Sequence, residues 1–275
     1  MAKRLLFMIA LFLAATANAQ TKDEILAEGW LMYHSERASW YGTDIFMAKF
    51  PEKKDNIGGY FSYTENNSHK CVFFDNEENP GVLATITFDD SFVVEVADVN
   101  TEPRKLPEHE KDLYTIRNVA LEEVSKDTLF KRYERTSLNF IPMIVKGKKK
   151  VYLLTGPSES GVVIFGNDYL ITFDKKNKIT SKKQLHKNII PIEYGVKNNE
   201  HVTTMHSHTD STGDLITATD ICTLLLYGPY ASWSSHIVIS RKNVSIWSCK
   251  TEELLVMTAS AWAEMNKNAN NDKKE

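Results

Sequence analysis

The chain has 275 residues, 42% of them hydrophobic and 25% charged, with a formal net charge of −3. That apolar fraction supplies one large core or two smaller ones, which excludes a chain left disordered for want of hydrophobic content. A slightly acidic balance without a basic stripe excludes nucleic acid as the partner.

Lys3 and Arg4 precede an apolar run over residues 5 to 15, and Ala17-Asn18-Ala19 places small residues where a signal peptidase reads them. Residues 1 to 19 are therefore expected to be a signal peptide cleaved before Gln20, with an uncleaved interfacial anchor as the alternative. The mature chain is expected to be exported, periplasmic or secreted, and without a transmembrane segment, because no later run approaches roughly 20 apolar residues.

Residues 20 to 105 read as a β-rich region. It opens with a helix from Lys22 to about Arg37 that presents Ile25, Leu26, Trp30, Leu31 and Tyr33 with helical recurrence. Runs rich in aromatic and β-branched residues follow at 59 to 63, 71 to 74, 82 to 88 and 92 to 96, separated by turn chemistry at 66 to 68, 76 to 81 and 89 to 90. Trp30, Tyr33, Trp40 and Tyr41 form an aromatic group that fits core packing, with a sugar or peptide platform as the alternative. Pro103 and Pro107 in a polar stretch suggest a linker.

Residues 106 to 265 are expected to form a second unit. A helix over 108 to 135, open to a break at 125 to 128, carries Leu113, Ile116, Val119, Ala120, Val124, Leu129 and Phe130. Strands are expected at 151 to 154, 161 to 165, 169 to 173, 189 to 194 and 201 to 206, then an apolar helix over 218 to 227. A strand pair at 236 to 240 and 244 to 247 and a last helix from 252 or later to 265 complete it. The lysines at 148 to 150 and 182 to 183 read as solvated hairpin ends, and residues 266 to 275 as a disordered polar tail. The fold class is α+β. Cys71, Cys222 and Cys249 permit one disulfide in an exported chain, and buried packing is as good a reading.

The chemistry concentrates in Met205-His206-Ser207-His208 and Thr217-Ala218-Thr219-Asp220. Histidines at i and i+2 on a strand share a face, and an Asp in the first turn of the next helix can close on them. Two imidazoles and a carboxylate form a ligand set for Zn²⁺ with water in the fourth position. The same Thr217-x-x-Asp220 is also a capping box. A structural zinc needs a fourth protein ligand, for which Asp210 and Asp214 are the candidates. His186, His201 and His236 have no second ligand at useful spacing and read as surface or packing residues.

A helix leading to a sheet, a strand ending in His206-x-His208, a loop, a helix opened by Thr217-x-x-Asp220 and a following strand pair together resemble the JAB/MPN (JAMM) metalloprotease family. The resemblance spans residues 108 to 250 in layout and 204 to 220 in motif. It implies a JAB-like mixed sheet with flanking helices and zinc ligands His206, His208 and Asp220. Thr217 stands at the position of the family's oxyanion-holding Ser. The upstream general base falls on Glu159, in Glu159-Ser160-Gly161, with Glu193 as the rival. Thr209 stands where the family usually has Pro, and the 11 residues between His208 and Asp220 are one more than its usual spacing. The resemblance implies an exported zinc-dependent hydrolase of amide, peptide or isopeptide bonds acting on a peptide or protein. The competing class is a non-catalytic exported interaction or binding protein with no functional metal.

Overall fold

The computed structural model describes residues 20–195 and 202–271, so the signal-peptide expectation, His201 and residues 272–275 lie outside the described residues. Helix α1 (Lys22–Lys49) starts at a capping box in which Thr21 accepts from the Glu24 N–H and Glu24 accepts from the Thr21 N–H. It runs well past Arg37, because its second half has its own core to bury. Ala38, Ile45 and Phe46 pack on Phe73, Ala84 and Ile86 of the first sheet.

That sheet is antiparallel and N-terminal. Strands β1 (Ile57–Glu65), β2 (Ser68–Asp75), β3 (Gly81–Phe88) and β4 (Asp98–Asn100) lie in sequence order, and β5 (Arg104–Lys105) also pairs with β3. The strand expected over 92 to 96 is instead a 3₁₀ turn, Val94–Val96, entered through Phe92 at φ +52°. Helix α2 (Glu108–Lys126) stops short of the expected 135. The Asp127 carboxylate takes the Leu129 N–H at 2.9 Å, and local side-chain bonding of this kind ends helices. Leu113, Ile116, Ala120 and Val124 bury between Val72 and Phe74 on one side and Val151, Leu153 and Ile171 on the other.

The second sheet has the order β10 (Ile179–Gln184), β9 (Tyr169–Phe173), β7 (Lys148–Pro157), β6 (Thr136–Val145). Strands β6 and β10 have no counterpart in the sequence expectation. Pro142 fits in β6 because that strand is at the sheet edge. Strand β10 is mostly exposed and polar. Its Lys182 is no free hairpin end, since it bonds Glu123 at 2.6 Å and Asp127 as well. Strands β8 (Val162–Gly166) and β11 (Ile189–Glu193) make a two-stranded ribbon.

The last sheet carries the chemistry. Its order is β12 (Val202–Ser207), β13 (Trp233–Ile239), β14 (Asn243–Ser248), β15 (Glu253–Thr258). Strands β12 and β13 are parallel, which requires a crossover, and helix α3 (Ala218–Tyr227) provides it. Residues 253 to 258, expected within a helix, are a strand because Leu254 buries opposite Trp247 while Glu253 and Leu255 face out. Helix α4 (Ala259–Asn271) then covers part of the expected disordered tail.

Helix α3 is buried all round, from Ala218 through Leu226, with Ile221, Leu224, Leu225 and Leu226 in the core and the polar Thr219 and Asp220 turned to the histidine cluster. α1 lies directly on it. A Cβ on Gly29 would stand 2.5 Å from Ile221 Cγ2, so only glycine allows this approach. Ile25 joins Val163, Phe165, Ile221, Leu224, Val238 and Trp247 in one core cluster, and Met32 joins Ile141, Tyr152 and Cys222 in another. All three cysteines are free thiols, with Cys71 and Cys222 buried. Among the described residues no helix is long and apolar enough to cross a membrane.

Candidate metal centre

Strand alternation places Thr204 and His206 on one face of β12, and His236 lies opposite Thr204 on the parallel neighbour β13. The ladder continues past the strand end, where the His208 N–H bonds the Ile239 carbonyl at 2.8 Å, so His208 follows His206 on the same face. Thr217 caps α3, accepting the Asp220 N–H at 3.1 Å, while Asp220 Oδ2 accepts the Thr217 N–H at 2.9 Å and its hydroxyl at 2.8 Å. This capping box aims the carboxylate at the histidines. The capping and metal-ligand readings of Thr217-x-x-Asp220 are therefore compatible.

Three imidazole nitrogens and this carboxylate converge. His208 Nε2 is 3.0 Å from His206 Nε2 and 3.0 Å from His186 Nε2. Asp220 oxygens stand 3.3 Å from His208 Nε2, 3.6 Å from His206 Nε2 and 3.7 Å from His186 Nε2. A tetrahedral zinc with bonds of 2.0–2.1 Å has ligand-to-ligand edges of about 3.3–3.4 Å, in the middle of this range. Protons fit the geometry poorly. His208 Nε2 has one in-plane proton or lone pair and three polar neighbours, so one hydrogen bond leaves two contacts unsatisfied, whereas a central cation satisfies every ligand atom. His186, His206, His208 and Asp220 form a buried group that could hold a metal ion. Their side chains are 6%, 1%, 0% and 1% exposed.

His186 is the member of this group that the sequence does not mark: it stands buried beside the other three and not at the surface, and it occupies the place for which Asp210 and Asp214 are the sequence candidates in a structural site. Those two aspartates pair with Arg241 at 3.3 Å and Lys242 at 2.8 Å on the surface. His186 sits in the loop between β10 and β11, 20 residues before His206 in sequence, with no periodic signal to mark it. The β8–β9 turn positions it. Gly166 at φ +80° and Asn167 at φ +53° reverse the chain there. Asn167 is locked by bonds from its amide to the Thr155 hydroxyl and the Lys131 carbonyl, and by one accepted from the Tyr169 hydroxyl. Asp168 then accepts from His186 Nδ1 at 2.7 Å, and its backbone carbonyl takes the Leu185 N–H at 2.9 Å. Thr219 of α3 donates to the other Asp168 oxygen.

The surrounding bonds fix the tautomers of His186 and His206, as such outer partners do in metal sites, while His208 Nδ1 is buried without a hydrogen-bond partner among the described residues. His186 Nδ1–H on Asp168 leaves Nε2 free to ligate. For His206 to ligate through Nε2, its Nδ1–H donates to His236 Nε2 at 2.8 Å, and His236 Nδ1–H then donates to the Thr204 hydroxyl at 2.7 Å. Phe165 stacks on His236 with centroids 4.5 Å apart. Burial pushes His206 down to about 4 and His236 down to about 3, so both are neutral, as ligation requires. Burial also opposes charge on His186, but Asp168 and Asp220 outweigh it and raise this group to about 9. Burial alone would raise Asp220; the three histidines instead hold it well below the usual carboxylate range. Two buried carboxylates, Asp168 and Asp220, balance the charge of a divalent cation, whose binding would displace the proton that they favour on His186.

The glutamates named from the family resemblance do not join the group. Glu159 is exposed and faces Arg135 at 3.5 Å, and Glu193 is exposed on β11 opposite Val162. A second gathering, His34, His69 and Asp90, has three members and is less buried, with Asp90 exposed. There His69 bonds the Thr64 hydroxyl and Asp90 through its two ring nitrogens, at 2.9 Å each, which accounts for both. Comparison of the chain with family models, with curated proteins and with solved structures gives no match.

Proposed function

We propose that this is an exported zinc protein in which the ion is structural, pinning the β10–β11 loop, the end of β12 and the start of α3 together, and that its activity is recognition of a partner rather than hydrolysis at the metal. One observation carries the reading: four buried residues each offer a ligand atom within 4.8 Å of the others, and the close contacts among them, 3.0 to 3.7 Å, bracket the edge of a tetrahedral zinc site. Imidazole and carboxylate donors suit zinc, and its lack of geometric preference tolerates the spread of edges. Zinc supplies Lewis acidity to a site that keeps an open position. Here His186 fills that position, and Asp168 holds it there.

A second reading has its own support. His206, His208, Asp220 and Thr217, the residues matched to the JAB/MPN motif, stand together, and a JAB-like hydrolase would follow if His186 left the metal to admit substrate. Elemental mass spectrometry of the mature protein, purified without chelator or histidine tag, is expected to give one zinc per chain. The His206→Ala/His208→Ala variant is expected to have none. The cobalt-substituted protein separates the two readings. A four-coordinate visible spectrum unmoved by acetohydroxamate supports the structural ion. A hydroxamate-induced change with peptide cleavage would replace that reading by the hydrolytic one, and absence of metal after reconstitution would remove both.

A further inference from the structure

A cleft of about 390 Å³ opens between α1, β1, α2, β6 and the end of α3, with Glu36, Trp40, Tyr60, Arg117, Asn139 and Tyr227 on its wall. None of the four metal-site residues lines it. Its size falls within the range of small-molecule sites. The Arg117 guanidinium forms no ion pair among the described residues; its contacts are a long 3.4 Å bond to the Asn118 amide oxygen and the Tyr60 ring 5.9 Å away. The Glu36 carboxyl likewise meets no cation among the described residues. Asn139 donates to one of its oxygens at 2.7 Å, and the other has no hydrogen-bond partner. Trp40 is 48% exposed at the same wall. It belongs to the aromatic group that the sequence alone leaves between core and ligand platform.

Glu36 and Arg117 are half-buried on one cleft wall without an ionic partner among the described residues, so a ligand that pairs them gains charge-assisted bonds in a partly desolvated site. Had they been close, they would have neutralised each other. Held apart, they ask for a molecule carrying both charges in the opposite sense. We propose that this cleft binds a small zwitterion, a free α-amino acid, with its carboxylate on Arg117, its ammonium on Glu36 and its side chain against Trp40. A guanidinium takes a carboxylate in a bidentate fork, and an indole face takes an apolar or aromatic side chain. The lack of an ionic partner fits the protonation of Glu36, which burial pushes up to about 7 while the Asn139 bond pulls the other way. An ammonium would favour the ionised form.

Isothermal titration of the metal-loaded mature protein with each of the twenty amino acids, then with N-acetyl and amide derivatives of the best ones, tests this. Binding is expected for one or a few apolar or aromatic amino acids, weakened at least tenfold by blocking either end. Arg117→Gln is expected to remove the loss caused by the amide, and Glu36→Gln the loss caused by N-acetylation. Arg117→Lys, which keeps the charge, is expected to restore part of the affinity and controls for folding. If no amino acid binds at millimolar concentration, or if both Gln variants bind as the parent does, the assignment is overturned. Neither outcome depends on whether the zinc is structural or catalytic.

Discussion

Asp168 accepts a hydrogen bond from Nδ1 of His186 at 2.7 Å, with both side chains buried, and this contact decides which imidazole nitrogen faces the other ligands. Asp168→Asn can keep the shape but removes the charge and lets the ring turn. Zinc affinity is expected to fall roughly 10- to 100-fold, as for other outer partners of ligating histidines. Competition with a chromophoric chelator measures it. Unchanged affinity would show that His186 is not a ligand.

Zinc that binds the folded chain and not the unfolded one stabilises it by mass action, by about 2.7 kcal/mol at a free concentration of 100 Kd. For a chain of this size that corresponds to a thermal midpoint about 5 to 10 °C higher in zinc than in chelator. Calorimetry of the parent with zinc and with EDTA checks the shift, and re-addition of zinc should reverse it. In His208→Ala the two scans should coincide.

Glu159 and Glu193, the two candidates for a general base, are exposed. Glu159→Gln and Glu193→Gln are expected to leave zinc content unchanged and stability within about 0.5 kcal/mol, as for surface substitutions away from special contacts. Elemental analysis and urea titration report both. A loss of metal in either variant would place that carboxylate at the ion.

The part of the site that is legible in the sequence is the part whose geometry is local. His206 and His208 share a face through the period of a strand, and Thr217 and Asp220 are three apart in a first helical turn, so spacing alone brings each pair together. Asp168 and His186 meet through a turn and a loop, and no spacing rule connects them to β12. The fold follows the same division. Strands that alternate toward a core, such as β3 with its buried Val82, Ala84, Ile86 and Phe88, stand out in the sequence. Strand β6 hides behind Pro142 and β10 behind its exposed polar residues, because edge positions decide them and not their own patterning. Strand β15 passes for helix because its Leu254-Leu255-Val256 run fits either period, and pairing with β14 settles it.

Gly166 is where the metal centre depends on backbone freedom. Its φ of +80° disfavours any side chain, and a Cβ there would run into the Asn188 carbonyl oxygen. Gly166→Ala is expected to cost about 2 kcal/mol or more and, by shifting the turn that presents Asp168, to weaken zinc as well. Urea unfolding with and without zinc separates the two losses. A variant as stable as the parent would show that the turn adapts freely.

Glu36 predicts the pH dependence of stability. Burial pushes its carboxyl up to about 7 from an ordinary value of 4.5, with the Asn139 bond acting in the opposite direction. The groups set against it are Asn139 on β6, Tyr60 on β1, and Tyr227 and Cys222 on α3, none of which supplies a cation. In the folded chain the group keeps its proton over a range where the unfolded chain has lost it. Its contribution is therefore fully present below about pH 4.5 and is lost as pH rises to about 7, with no further change above. Each unit of separation is worth about 1.4 kcal/mol, which bounds the loss at about 3 to 4 kcal/mol, and less where cleft water reaches the carboxyl. Glu36→Gln removes the ionisation and keeps an acceptor for Asn139. It is expected to stabilise the protein at pH 8 and to change little at pH 4.5, as read by chemical unfolding at the two pH values. Equal effects at both would mean that Glu36 titrates as an exposed carboxyl and is not held unpaired in the cleft.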